Sequence, residues 1–220
     1  MGIKACIFDL DGTLLNTLTT ITYYVNEALA REGARKISEA ECCPMVGKGA
    51  RNLLERALSL VGHRVDDFEA FFSAYDAQYN KAPAYLTEPY AGICAVIDAL
   101  YEKGVRLAVL SNKPEGAVRP LVERFFGERI DIVAGGKPGT PLKPDAGAVL
   151  PILLSLGLSA EETAFIGDSG VDMKTAKNYG AGLALGVLWG FRGKAELLEM
   201  GADALAQRPE DILRVLNEYL

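Results

Sequence analysis

The segment Cys6-Ile7-Phe8-Asp9-Leu10-Asp11-Gly12-Thr13 decides the fold of this chain. Its first three residues are apolar and predict a short buried strand, which runs directly into two aspartates and a glycine turn. Further apolar runs alternate with stretches of helical periodicity. The runs are 106–110, 130–133, 164–166 and 183–188, and the helical stretches are 93–101, 115–126, 146–156, 171–179 and 210–219. This alternation predicts an α/β fold, a Rossmann-like parallel sheet with helices on both faces.

The connection after the first strand is much longer than a simple crossover requires, because about 90 residues precede the next convincing strand. Apolar residues recur in it at helical spacing. They are Ile21, Tyr24, Val25, Ala28 and Leu29, then Leu53, Leu54, Ala57, Leu58 and Val61, then Phe68, Phe71, Phe72, Tyr75 and Tyr79. We expect a small helical cap domain, residues 16–85, inserted into a core formed by residues 1–15 and 86–220. Its linkers are predicted at 14–17 and 82–90.

Polar residues follow several of the predicted strands. The aspartates of the first segment, the run Ser111-Asn112-Lys113 and the run 167–172 all lie at strand ends, and Lys143 lies in a loop before the last of these strands. The carboxyl ends of parallel strands share one edge of a sheet, so these groups are expected to converge. Gathered aspartates raise one another's pKa values, and a hard cation with oxygen ligands relieves this. The pattern therefore predicts a Mg²⁺ site.

The remaining groups suit a phosphoryl ligand. Ser111, Lys143 and the backbone N–H groups after the first strand would neutralise phosphoryl oxygens. One aspartate can attack phosphorus, and a carboxylic acid two residues on can protonate the leaving oxygen and later deprotonate water. The chain has a single histidine, His63, at the end of a helical pattern. The chemistry is therefore expected to use carboxylates, hydroxyls and lysines.

At these residues the sequence resembles the haloacid dehalogenase-like superfamily of hydrolases, and within it the phosphoglycolate phosphatase-like branch. The family's four motifs match DxDGT at residues 9–13, Ser111 at a strand end, Lys143-Pro144, and GDxxxD at residues 167–172, in this order. The resemblance covers nearly the whole chain. It also implies a helical cap after the first motif.

The resemblance implies a role for each motif residue. Asp9 would be the nucleophile and a Mg²⁺ ligand, and Asp11 the general acid/base with its backbone carbonyl on the metal. Asp168 would bind the metal, and Asp172 would bind it or orient its waters. The residues that would hold or support the phosphoryl group are Ser111, Asn112, Lys143 and Thr13.

The cap must select the substrate, because the core site contacts only phosphate and metal. The best candidate is the loop Gly47-Lys48-Gly49 followed by Arg51. Its glycines allow close approach to a ligand, and the cations Lys48 and Arg51 are expected to meet a substrate carboxylate or second phosphate. The alternative without a functional role is a flexible loop at the start of a helix, whose cations are solvated.

The leading interpretation is a Mg²⁺-dependent phosphatase that hydrolyses a small phosphomonoester, such as 2-phosphoglycolate, through an aspartyl-phosphate. A pyrophosphatase or a sugar phosphomutase of the same superfamily remains an alternative, and a mutase would yield an isomeric sugar phosphate instead of free phosphate. A phospho-accepting, receiver-like signalling module gathers similar groups, but the large insert and the late GDxxxD element fit it poorly.

The composition and charge of the chain indicate which classes of partner it binds. The 220 residues carry a net charge of −6 with no visible basic face, which argues against nucleic acid. The longest uncharged runs are 12–26 and 146–160, and neither is a good membrane span. Four cysteines without framework spacing indicate reduced thiols and a cytoplasmic protein. A small phosphorylated metabolite is the expected ligand, and the protein is expected to be a monomer or a homodimer.

Overall fold

The computed structural model describes residues 2–219, which form eight strands. They are β1 Ala5–Phe8, β2 Leu15–Asn16, β3 Glu88–Pro89, β4 Arg106–Pro114, β5 Ile132–Gly136, β6 Thr163–Gly167, β7 Leu183–Val187 and β8 Ala204–Ala206. Six of them form a sheet in the order β5-β4-β1-β6-β7-β8, and every neighbouring pair in it is parallel. The predicted α/β fold with a parallel sheet is confirmed.

The described residues also form ten α-helices. They are α1 Leu18–Arg31, α2 Glu39–Cys42, α3 Ala50–Val61, α4 Phe68–Lys81, α5 Ile93–Glu102, α6 Glu115–Phe126, α7 Leu150–Leu156, α8 Gly170–Tyr179, α9 Lys194–Glu199 and α10 Glu210–Leu216. The predicted helix 146–156 is shorter than expected. A separate 3₁₀ turn occupies Ala146–Ala148, and Pro151 lies in the first turn of α7, where its missing N–H costs nothing.

Strand β1 lies at the centre of the sheet and is buried on both faces. Successive side chains of a strand point to opposite faces. Phe8 accordingly packs in the cluster that contains Ile97 of α5, whereas Ile7 packs in the cluster that contains Met173 of α8. Helices therefore cover both faces, and the end of β1 presents the residues that follow it at one edge of the sheet.

Residues 18–81 contain helices α1 to α4 and are hereafter called the helical unit. They bury a second hydrophobic cluster, to which α6 adds Ala117. It includes Val25 of α1, Leu54 of α3 and Tyr75 of α4, which all belong to the predicted apolar stripes. The two connections to the helical unit pair with each other, because β2 and β3 form an antiparallel ribbon. Sequence analysis predicted linkers at these positions. The two strands were not predicted because two residues are too few to show the alternation of side chains that marks a strand.

Strand β8 was also missed. It has three residues, two of them alanine, and no apolar run marks it. Its pairing with β7 extends the sheet by one strand. Within residues 2–219, no helix is both long enough and apolar enough to cross a membrane.

Candidate active site

Three buried carboxylates meet at the carboxyl ends of β1 and β6. Asp9 directly follows β1, Asp168 directly follows β6, and Asp172 lies in the first turn of α8. One oxygen atom from each carboxylate lies within 4.8 Å of the others. The structure thus brings together acids that are up to 163 positions apart in the sequence, as the strand-end argument predicted.

Lys143 lies between two of these acids. Its Nζ atom donates hydrogen bonds of 2.7 Å to Asp9 Oδ1 and to Asp172 Oδ1. The lysine side chain is only 3% exposed. Burial lowers the pKa of Lys143, but the charges of Asp172 and Asp9 outweigh that effect and raise the pKa above its ordinary value. Lys143 is therefore an ammonium that fixes the orientation of Asp9.

The single ammonium does not neutralise the site. Burial raises the pKa of Asp9 well above its usual value, and the charges of Asp172 and Asp168 add to the increase. Burial and the charge of Asp172 raise the pKa of Asp168 to about 7. Oxygen donors at this spacing, with an excess of negative charge, fit a divalent cation such as Mg²⁺.

Asp168 is enclosed by the loops that follow β1 and β7. Its carboxylate accepts hydrogen bonds from Thr13 Oγ1 at 3.1 Å and from the Phe191 N–H at 2.7 Å. Gly12 has a φ of +90°, and a Cβ atom there would lie 2.5 Å from Asp168 Oδ2. A Cβ atom on Gly190 would collide with the same side chain. The two glycines therefore let backbone surround Asp168 closely.

The end of β4 supplies two further predicted residues. Ser111 is buried, and its Oγ atom accepts a hydrogen bond of 3.2 Å from the backbone N–H of Lys113. Asn112 donates its side-chain N–H groups to the carbonyl oxygens of Gly47 and Lys143, and its Oδ1 atom accepts from the Lys143 N–H. Asn112 thus braces the loop that carries Lys143, with both amide hydrogens already donated to backbone.

Sequence analysis gave no role to Lys113, although it follows Ser111 by two residues at the end of the same strand. Its Nζ atom lies 3.0 and 3.2 Å from the two carboxylate oxygens of Asp11. It also lies 4.5 Å from the centroid of the Tyr79 ring of α4. The side chains of Lys113 and Asp11 are 6% and 11% exposed, so this ion pair is largely shielded from solvent. Sequence analysis placed Lys113 among the strand-end groups that converge, and this position was the signal from which a role could have been inferred.

A pocket lies between these core residues and the helical unit. The helical unit contributes apolar and aromatic side chains, the loop glycines and one carboxylate. These residues are Ile21, Val46, Gly47, Gly49, Ala50, Leu53, Tyr75, Asp76 and Tyr79. Both predicted loop glycines therefore line the pocket.

The two predicted cap cations do not line this pocket. Lys48 is exposed, and Arg51 makes two hydrogen bonds, of 2.7 and 2.8 Å, to the carboxylate of Glu69. The Arg51 guanidinium also packs over the rings of Phe68 and Phe72. The contacts of Arg51 lie within the helical unit, which differs from the expected contact with substrate.

Arg192 joins the core to the helical unit. Its guanidinium donates hydrogen bonds to the backbone oxygens of Cys43 at 2.9 Å, Val46 at 2.8 Å and Pro44 at 3.3 Å. Residues 43–46 directly precede Gly47, which accepts a hydrogen bond from Asn112. The loop on the helical unit is thus held by two core side chains that also line the pocket.

A family model described as haloacid dehalogenase-like hydrolase matches residues 6–185, a range that holds all four motifs and the helical unit. The chain belongs to the haloacid dehalogenase-like hydrolases. Among the relatives of this hydrolase, a phosphoglycolate phosphatase from Rhodospirillum rubrum is 38% identical over 184 residues, 80% of this chain and 76% of the relative. A phosphoglycolate phosphatase from Aquifex aeolicus is 29% identical over 219 residues, 99% of this chain and 98% of the relative.

The structural comparison agrees. A crystal structure described as a predicted phosphoglycolate phosphatase from Haemophilus somnus matches this hydrolase with a TM-score of 0.90 and 26% identity, over 97% of each chain. The resemblance inferred from the motifs is confirmed. This haloacid dehalogenase-like hydrolase is a phosphoric monoester hydrolase of the phosphoglycolate phosphatase-like branch, and its substrate is a small phosphorylated compound.

Proposed function

We propose that this enzyme hydrolyses a small phosphomonoester with the help of Mg²⁺, through a covalent phosphoryl group on Asp9. The observation that supports it most is the position of the Asp9 carboxylate, held by a buried ammonium beside two further buried acids at one edge of the sheet. Asp9 and Asp168, with the backbone carbonyl of Asp11, would hold the metal. When bound, Mg²⁺ neutralises the carboxylates and the phosphoryl oxygens.

Asp172 has a different position from Asp9 and Asp168. Its Oδ1 atom accepts from Lys143, and its Oδ2 atom accepts from the N–H and hydroxyl groups of Ser169. Both oxygens thus have partners in the protein. We assign Asp172 to orienting Lys143 and the metal's waters, which is one of the two roles that the resemblance implies.

The reaction then has two steps. A carboxylate oxygen of Asp9 attacks phosphorus, the ester P–O bond breaks, and Asp11 gives its proton to the leaving oxygen. Asp11 next removes a proton from a water molecule, whose oxygen attacks the phosphorus of the aspartyl-phosphate. The P–O bond to Asp9 breaks, which releases inorganic phosphate and restores the Asp9 carboxylate. Lys143 and Ser111 stabilise the phosphoryl oxygens in both steps.

The helical unit would act as the cap over this site. It lines the pocket opposite the acids, and closure over the site excludes water until the covalent intermediate has formed. The relatives in Rhodospirillum rubrum and Aquifex aeolicus are named phosphoglycolate phosphatases, and this favours 2-phosphoglycolate as the substrate to test first.

The test is a phosphate-release screen over 2-phosphoglycolate, pyrophosphate, hexose phosphates and nucleotides, with Mg²⁺ and with EDTA. We expect release from a phosphomonoester that EDTA abolishes and Mg²⁺ restores. Acid-quenched enzyme reduced with borohydride should contain homoserine at position 9, the product of an acyl phosphate there. Full activity in chelator would remove the metal from the proposal, and near-native turnover by Asp9→Asn would remove the covalent route.

A further inference from the structure

Within residues 2–219, three cationic side chains line the pocket between the core and the helical unit. They are Lys143, Arg192 and Lys113. Lys143 is shared by two carboxylates, and Arg192 donates to backbone oxygens of the loop 43–46. Lys113 has one carboxylate partner, Asp11. A lysine ammonium carries three donors. Two of those on Lys113 are directed to Asp11, and the structure gives the third no partner within the described part of the chain.

The helical unit offers no counter-charge for an anionic leaving group. Within the described residues, Asp76 is its one charged side chain on the pocket wall, and Asp76 is itself an acid. Burial raises the pKa of Asp76, while Asn80 donates a hydrogen bond of 2.9 Å to its Oδ2 atom. Lys48 and Arg51 lie outside the wall. A negatively charged leaving group must therefore be recognised by the core.

We propose that Lys113 is the specificity-determining residue of this enzyme and binds a carboxylate carried by the leaving alcohol next to the ester oxygen. This inference rests on the proposed function. Asp11 is the group that must approach the leaving oxygen, and Lys113 contacts Asp11 directly. The ammonium therefore lies on the leaving-group side of the phosphoryl site.

The energetics favour an anion at this place. The Lys113 side chain is 6% exposed, and a buried ammonium is costly without a charged partner. When Asp11 turns toward the leaving oxygen, Lys113 loses contacts that a substrate carboxylate replaces. The face of the Tyr79 ring stabilises the ammonium from one side and leaves its N–H groups for the anion.

The geometry also indicates which class of carboxylate-bearing substrate fits the site. Lys113 is within hydrogen-bond distance of the residue that protonates the ester oxygen, so a carboxylate on the carbon that bears this oxygen reaches it. A carboxylate several carbons away from the ester oxygen is displaced from Lys113. The fitting substrates are 2-phosphooxy carboxylates, of which 2-phosphoglycolate is the smallest.

The experiment compares 2-phosphoglycolate with ethyl phosphate, which has the same length and no carboxylate, in the full-length enzyme with Mg²⁺. We expect Lys113→Met to lower kcat/KM for 2-phosphoglycolate about 10- to 100-fold more than for ethyl phosphate, mainly through KM, as the loss of a charge-assisted hydrogen bond implies. Lys113→Arg should recover part of this selectivity. The matched control is Lys4→Met, which removes an exposed lysine paired with Glu162.

An equal loss for both esters would overturn the proposal, because Lys113 would then act through Asp11 alone. Should Lys113→Met fail to fold, the wild-type enzyme provides the test: glycolate should compete with either ester, and ethanol at the same concentration should not. Absence of competition by glycolate would refute the assignment. A wild-type enzyme that releases phosphate from neither ester nor any screened compound would instead refute the proposed function itself.

Discussion

The Nζ atom of Lys143 lies 2.7 Å from Oδ1 of Asp9, and both side chains are buried. The two residues are 134 positions apart in the sequence, and they lie in the two parts of the chain that flank the helical unit. In the proposed mechanism, this contact ties the group that attacks phosphorus to the residue that neutralises phosphoryl oxygens. Its loss should therefore be visible in stability as well as in activity.

Lys143→Met should abolish phosphate release and lower the free energy of unfolding by about 3 kcal/mol, because it leaves Asp9 and Asp172 buried without their shared cation. Urea denaturation without metal measures the stability. The double variant Lys143→Met/Asp172→Asn should recover part of the stability and none of the activity. A midpoint unchanged from wild type in the single variant would contradict the electrostatic account.

The pKa of Asp168 makes metal-free stability depend on pH. Its pKa rises from 3.8 in the unfolded chain to about 7 in the fold, so the folded protein binds more protons between these values. The stabilisation is complete below pH 4 and is lost as pH rises toward 7. Mg²⁺ favours the ionised carboxylate, so the increase in Tm that it causes should be larger at pH 8 than at pH 5. Asp168→Asn should remove most of this difference. An equal increase in Tm for the wild-type protein at both pH values would contradict the assignment of the pH dependence to Asp168.

Gly190 should not tolerate a side chain. A Cβ atom there would collide with Asp168 and with the backbone oxygen of Gly12, so Gly190→Ala should lower the Tm and weaken Mg²⁺ binding. Gly193→Ala is the matched control, because no atom of residues 2–219 other than those of its chain neighbours lies within 4 Å of the Cβ atom that it adds. Differential scanning fluorimetry with a Mg²⁺ titration compares them. Similar Mg²⁺ affinities for the two variants would show that Asp168 can move without loss.

Arg192→Ala should loosen the loop 43–46 while leaving the sheet intact, since its hydrogen bonds to Cys43, Pro44 and Val46 join two parts of the chain. We expect faster amide hydrogen exchange across residues 43–47 and a higher KM. Arg208→Ala, which truncates an exposed arginine of the core, serves as the control. Exchange in this loop as slow as in wild type would mean that other contacts hold it.

The fold and the central acids were predictable because both depend on a simple rule. Apolar runs mark the buried strands, and residues directly after parallel strands share an edge, which brings Asp9 and Asp168 together. Very short strands escape this rule. The strands of the β2–β3 ribbon and β8 are defined by pairing with strands elsewhere in the chain. They have too few residues to show the alternation of side chains that marks a strand.

The cap cations illustrate what the sequence pattern missed. Ala50 and Leu53 of α3 line the pocket, and residues two positions apart on a helix do not share a face. Arg51 therefore points away from Leu53 and pairs with Glu69. The partner of Lys113 was unpredictable for another reason, because its contact with Asp11 spans 102 positions and depends on how the strand ends are placed in space.

The β2–β3 ribbon places the entry and the exit of the helical unit side by side. Since Leu15 pairs with Pro89 and Asn16 with Glu88, the polypeptide departs from the hydrolytic framework and returns to it at neighbouring points, about 5 Å apart. The residues between β2 and β3 therefore form a side branch of the chain. Its length and sequence do not change the order of the strands in the six-stranded sheet. We expect that whole branches can be exchanged at this joint, which would change the pocket wall opposite the acids and leave the core strands and the residues at their ends, Lys113 among them, as they are.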